Sequence, residues 1–105
     1  ASEPAPLPAV TLAEVLATSD LPGGVVNLLT GRRAELAPWL ASHMDVNAID
    51  LAGAPDDAVA DLERAAADNL KRVLRPGVRD WSEEPGTERI TAFLETKTVW
   101  HPVGV

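Results

Sequence analysis

Apolar residues recur at three- and four-residue spacing from Val59 through Leu62, Ala66 and Leu70 to Val73, while Asp61, Glu63, Arg64, Asp68, Lys71 and Arg72 fall mostly elsewhere. That period places one apolar stripe on a helix and predicts helix over 57–73, with Asp56 as its cap. Thr11-Leu12-Ala13-Glu14 has the form of a capping box, so a short helix is expected from there, with Leu12, Val15 and Leu16 on one face. It would stop near Ser19-Asp20, before the breaker Pro22-Gly23-Gly24. Upstream, Pro4, Pro6 and Pro8 favour an extended lead-in. A further helix is predicted from Arg33 or Ala34 to His43, with Leu36, Trp39 and Leu40 on one side; Pro38 suits it only inside the first turn. Thr87 would cap a fourth helix, with Ile90, Phe93 and Leu94 facing inward.

Two short apolar runs carry a different signal. Val25-Val26-Asn27-Leu28-Leu29 lies between glycines, and Val46 to Leu51 ends in the turn Ala52-Gly53-Ala54-Pro55. Each reads as a strand buried on both faces. Lys97 to His101 reads as a last strand, stopped by Pro102. Short strands alternating with helices imply parallel crossover units and an α/β layer structure. Two such strands are too few for a complete sheet, so its edges would need another segment or another subunit. Breaks at Arg75-Pro76-Gly77 and Pro85-Gly86 divide the chain into an α/β unit over 1–74, an irregular connection over 75–87, and a C-terminal helix and strand over 88–105.

Composition narrows the function. The 105 residues are 46% hydrophobic with a formal charge of −7, globular composition for one domain at most. Residues 1–73 carry 11 acids against 5 bases, and 74–105 carry 5 against 4. No basic surplus exists to displace counterions, so nucleic acid is not an expected partner. No apolar run reaches the roughly 20 residues of a membrane span, and no secretory signal is visible, so a cytoplasmic location is expected without membrane attachment. The absence of cysteine removes disulfides, thiolate metal sites and a cysteine nucleophile from the chain. The sequence opens Ala-Ser-Glu-Pro without Met, the expected sign of a processing or truncation boundary.

Chemical candidates are few. Gly53 sits between a strand and a helix, where main-chain N–H groups can hold a phosphate, but the same glycine also serves a plain turn. Position 58 is Ala rather than a second glycine, and Asp56 and Asp57 put negative charge where a pyrophosphate would lie. His43 and His101 are far apart with no third ligand beside either, so no metal site is expected. Trp39, Trp81 and Trp100 suit packing or interface anchoring in so acidic a chain. Ser19, Ser42 and Ser82 lack a nucleophile elbow.

As an ordered set, residues 1–73 resemble part of the NAD-binding domain of the aldehyde dehydrogenase superfamily. Ser2-Glu3 followed by Pro6-Leu7 is similar to the K-P-S-E-x-x-P-L segment. Leu12-Ala13-Glu14, and then the run from Asp20 through Leu21-Pro22-Gly23-Gly24-Val25-Val26-Asn27 to Gly31, resemble a helix, the L-P-x-G-V-x-N turn, a strand and the glycine ending it. Leu40 to Val46 resembles L-x-x-H-P-x-V/I, with Met44 in place of proline. Leu51-Ala52-Gly53-Ala54 aligns with F-T-G-S, Ala65 to Val73 resembles the helix before the catalytic glutamate motif, and Lys97-Thr98-Val99-Trp100 resembles the C-terminal oligomerisation strand.

The resemblance implies an α/β fold: a partial Rossmann-like parallel sheet with flanking helices and a C-terminal helix–strand extension. It also implies a nicotinamide site for NAD or NADP, with Glu3 near the adenine ribose, Gly31 beside the adenine pocket and Gly53 at the pyrophosphate. The departures lie after Val73. There the family continues with E-L-G-G-K and a domain bearing the catalytic cysteine, whereas here Leu74-Arg75-Pro76-Gly77 leads almost directly to the tail. No catalytic residue is carried over, and Ala54 and Ala58 replace the serine and second glycine of the cofactor turn. The expected function is a non-catalytic structural or regulatory subunit, forming a homo-oligomer or joining a larger aldehyde dehydrogenase-like chain. The alternative is part of an active NAD(P)-dependent aldehyde dehydrogenase with its catalytic residues on another chain or segment.

Overall fold

The computed structural model describes every residue except Pro76, Val78, Arg79, Trp81, Pro85 and Val105. Part of the 75–87 connection, Trp81 included, therefore lies outside the described residues. The chain forms two compact units, Ala1–Leu40 and Ala41–Val105.

The first unit holds α1 (Leu7–Ala17) and most of α2 (Arg33–Ser42). α1 begins four residues before the expected capping box, and no side chain caps it. The end of the lead-in, from Leu7, is helical rather than extended because a first turn needs no N–H from its prolines: Pro8 sits within that turn, and the Pro6 carbonyl accepts the N–H groups of Ala9 and Val10, each at 3.1 Å. Ala9, Ala13 and Leu16 are its half-buried residues, whereas Leu12 and Val15 are exposed. Thr18 and Ser19 hydroxyls close the helix by donating to the carbonyls of Glu14, Val15 and Leu16. α2 runs close to the expected limits, but Pro38 lies in its second turn and cannot supply an N–H there. Its inner side is Leu36, Ala37 and Ala41; Trp39 and Leu40 are exposed.

Residues 25–29 are not a strand. A strand is stable only when its main chain is paired, and here the segment is organised locally instead: the Val25 N–H donates to the Pro22 carbonyl at 3.3 Å and the Asn27 amide to the Gly24 carbonyl at 2.9 Å. Its four apolar side chains remain exposed.

The second unit is organised by one crossover. β1 (Ala48–Asp50) leads through a glycine turn into α3 (Asp56–Ala67) and back to β2 (Arg72–Leu74), which pairs parallel to β1 with Ile49 opposite Val73. This is the expected α/β arrangement with a different second strand: β2 replaces the last turn of the predicted 57–73 helix. α3 stops at Ala67 because the chain leaves helical geometry at Leu70, which has φ 56° in the left-handed region. The Lys71 N–H then returns to the Ala66 carbonyl at 3.1 Å. Asp56 is the first helical residue rather than the cap; Pro55, in an extended conformation, precedes it.

Polar contacts fix the strand starts. The Asn69 amide donates to the Met44 carbonyl at 2.9 Å, and the buried Lys71 ammonium donates to the His43 carbonyl at 2.6 Å and to Asn69 Oδ1 at 2.5 Å. A buried ammonium is tolerable because its donors are used in this way. Among the described residues, Leu51, Leu62, Ala66 and Ala41 form the buried apolar set. Arg75 makes a two-pronged pair with Glu63, at 2.5 and 2.8 Å, tying the end of β2 to α3.

Beyond β2, the Asp80 carboxyl accepts from the Ser82 hydroxyl and N–H at 2.6 and 2.8 Å, which hold it below the usual carboxylate range. α4 (Glu88–Thr91) is a single turn without a side-chain cap from Thr87, and Ile90, Phe93 and Leu94 are exposed rather than inward. The stretch is anchored by charge instead: Arg72 bonds Glu95 at 2.8 Å, and Arg89 pairs with Asp50. Residues 97–101 form no strand within the single chain, since no neighbouring strand offers a ladder. Among the described residues, no helix is long and apolar enough to cross a membrane.

Leu70 is 90% exposed, so its side chain gives little in return for left-handed strain. Leu70→Gly should raise stability by about 1 kcal/mol, read by chemical denaturation; a loss of stability would show that Leu70 contributes packing.

Candidate functional site

The turn between β1 and α3 is closed by its sequence. Gly53 has φ 76°, a left-handed conformation in which a Cβ is strained, and the Ala54 N–H donates to the Leu51 carbonyl at 2.9 Å. Asp50 Oδ1 accepts the Ala52 N–H at 2.8 Å, an Asx turn at the strand end. α3 follows, with Asp56 and Asp57 in its first turn. Those carboxylates suit the positive helix end but oppose an incoming anion.

Glu3 and Gly31 come together at the start of α2. The Glu3 carboxylate accepts the Arg33 N–H, one of the donors a helix leaves without an internal partner. A cleft of about 300 Å³ is lined there by Ser2, Glu3, Pro6, Thr30, Gly31 and Arg32. Gly31 has φ 145°, a backbone conformation that favours glycine, and a Cβ on it would stand 3.2 Å from Leu36 Cδ1. An adjoining cleft of about 250 Å³ is mostly apolar, with Leu28, Leu29, Leu36 and Leu40 in its wall. Of the three residues implied for a cofactor, the structure thus brings Glu3 and Gly31 to one cleft, and Gly53 belongs to the turn of the second unit.

His43 serves a local turn: its Nδ1 accepts the Asp45 N–H at 3.2 Å. Among the described residues, no group of three or more His, Asp or Glu could hold a metal ion. Asp50 was not singled out from sequence, although an aspartate two positions before a glycine turn and inside an apolar run is an Asx-turn signal. Its partner Arg89 had no such local signal.

The aldehyde dehydrogenase family model matches residues 1–75. Over 94 residues the chain is 38% identical to the NADP/NAD-dependent aldehyde dehydrogenase PuuC of Escherichia coli (strain K12), covering 90% of this chain and 18% of that protein. Aldehyde dehydrogenase family 2 member C4 of Arabidopsis thaliana is 35% identical over 72 residues, 69% of this chain and 14% of that protein. No solved structure matches. The chain belongs to the aldehyde dehydrogenase family. It spans less than one fifth of the length of these two relatives, and the first alignment, longer than the family match, extends past Arg75 into the tail.

Gly53→Ala should cost about 1–2 kcal/mol of stability, because alanine is strained at this φ; thermal unfolding checks it, and an unchanged midpoint would mean the turn relaxes freely.

Proposed function

We propose that this chain is a non-catalytic aldehyde dehydrogenase family protein with a structural or regulatory role. One observation carries the reading: only 23 residues separate Val73 from Lys97, where the resemblance calls for the glutamate motif and the cysteine-bearing domain, and the sequence contains no cysteine. The retained parts are scaffold parts: the crossover, its glycine turn and the tail. The geometry agrees with a weakened NAD or NADP site, since Glu3 is engaged by the Arg33 N–H and Asp56 and Asp57 flank the glycine turn.

On this reading the chain works in the cytoplasm by association with a second copy or with a larger family member, and Trp100, 89% exposed in the tail, is the anchor it offers. The alternative, that the chain belongs to an active NAD(P)-dependent aldehyde dehydrogenase whose catalytic residues lie on another chain or segment, draws support from an alignment to a dehydrogenase that covers 90% of the chain. The chain is tested alone, with NAD or NADP and a panel of short aldehydes, alongside sedimentation over a dilution series. No nicotinamide reduction above a heat-treated control is expected, together with mass that falls on dilution. Turnover by the chain alone would refute the non-catalytic reading, and a dilution-independent monomer would refute association.

A further inference from the structure

The glycine turn is touched from far along the chain. Asp50 divides its carboxylate: Oδ1 accepts the Ala52 N–H at 2.8 Å, and Oδ2 pairs with the Arg89 guanidinium. Both side chains of this pair are only 25% exposed, whereas every other described ion pair has a partner at least 76% exposed. Shielding from water and salt makes the Asp50–Arg89 pair the one with the most leverage.

Arg89 is carried by α4, whose neighbouring apolar residues Ile90, Phe93 and Leu94 are exposed. Hydrophobic burial therefore does little to hold the segment. Its anchors are Asp50 at the end of β1 and Arg72 at the start of β2, the latter through Glu95 at 2.8 Å. In the parallel register Ala48 pairs with Arg72 and Asp50 with Leu74. Alternation along each strand then places Asp50 and Arg72 on the same side of the sheet. Residues 88–95 lie across that side as a charge-held strap.

We propose that Arg89 is a positioning residue for the Ala52–Gly53 turn, acting through Asp50. The guanidinium holds Oδ2, which leaves Oδ1 aimed at the Ala52 N–H, so docking of the strap and closure of the turn draw on one carboxylate. The coupling is reciprocal: a turn that opens frees the carboxylate and weakens the strap, and a strap that lifts loosens the turn. The pair also offsets the Asp50 charge beside the start of α3. None of this depends on whether a cofactor binds.

Amide hydrogen exchange by NMR on the full chain tests it. Arg89→Met should speed exchange at Ala52 about tenfold, the loss expected for a hydrogen bond to a charged acceptor. Arg89→Lys, which keeps the charge, should recover part of the protection. Glu95→Gln, which loosens the other anchor but keeps the Arg89–Asp50 pair, should speed exchange at Ala52 much less than Arg89→Met does. The Leu51 N–H, bonded to the Leu74 carbonyl at 3.0 Å, reports the sheet itself and should stay protected throughout. An unchanged Ala52 rate in Arg89→Met overturns the proposal. So does equal loss at Ala52 and Leu51, which would make Arg89 a support of the whole unit rather than of the turn.

Discussion

A parallel strand pair cannot be closed by a hairpin; it needs a crossover long enough to return the chain to the same end of the sheet. That constraint organises residues 41–105. β1 and β2 contribute three residues each, so little ladder energy is available, and the joints around them must fix the geometry. The glycine turn launches α3 from the end of β1. The left-handed Leu70 ends the return, and Asn69 and Lys71 fasten the joint to the carbonyls of the 43–46 segment that leads into β1. The tail is then held to the strand residues by charge, which is why so short a sheet carries ion pairs on one side.

The parts of this unit that were legible in the sequence are those set by local chemistry. A β-rich run ending at a glycine, and a stripe through Val59, Leu62 and Ala66, identify a strand, a turn and a helix face without reference to the rest of the chain. The second strand was hidden for a physical reason. Leu70 and Val73 continue the helical spacing, so periodicity alone runs the helix through the joint; the signal against it is Asn69, whose amide competes for main-chain carbonyls. The reverse error occurs at 25–29, where composition is strand-like but the main chain bonds locally and no ladder forms. At Thr11 a sound capping pattern loses to prolines that start the helix earlier.

The candidate site shows the same division. Glycines at 31 and 53 are readable because positive-φ backbone favours them. What their neighbours do is not readable from residue type: Glu3 is engaged at a helix start, and Asp50 links the turn to residue 89 across 39 positions. Such long-range pairs are products of the fold. The family resemblance read over residues 1–73 is borne out as family membership by the match over 1–75, while the crossover explains why this stretch of chain can hold its shape around the turn.

The most direct test of this account is a search for cross-strand nuclear Overhauser contacts between 48–50 and 72–74 in the folded chain. The account predicts contacts in the parallel register, with Ile49 beside Val73 and the Leu51 amide protected by the Leu74 carbonyl. Sequential helical contacts running unbroken from Ala67 through Val73, with no contact between the two segments, would contradict it.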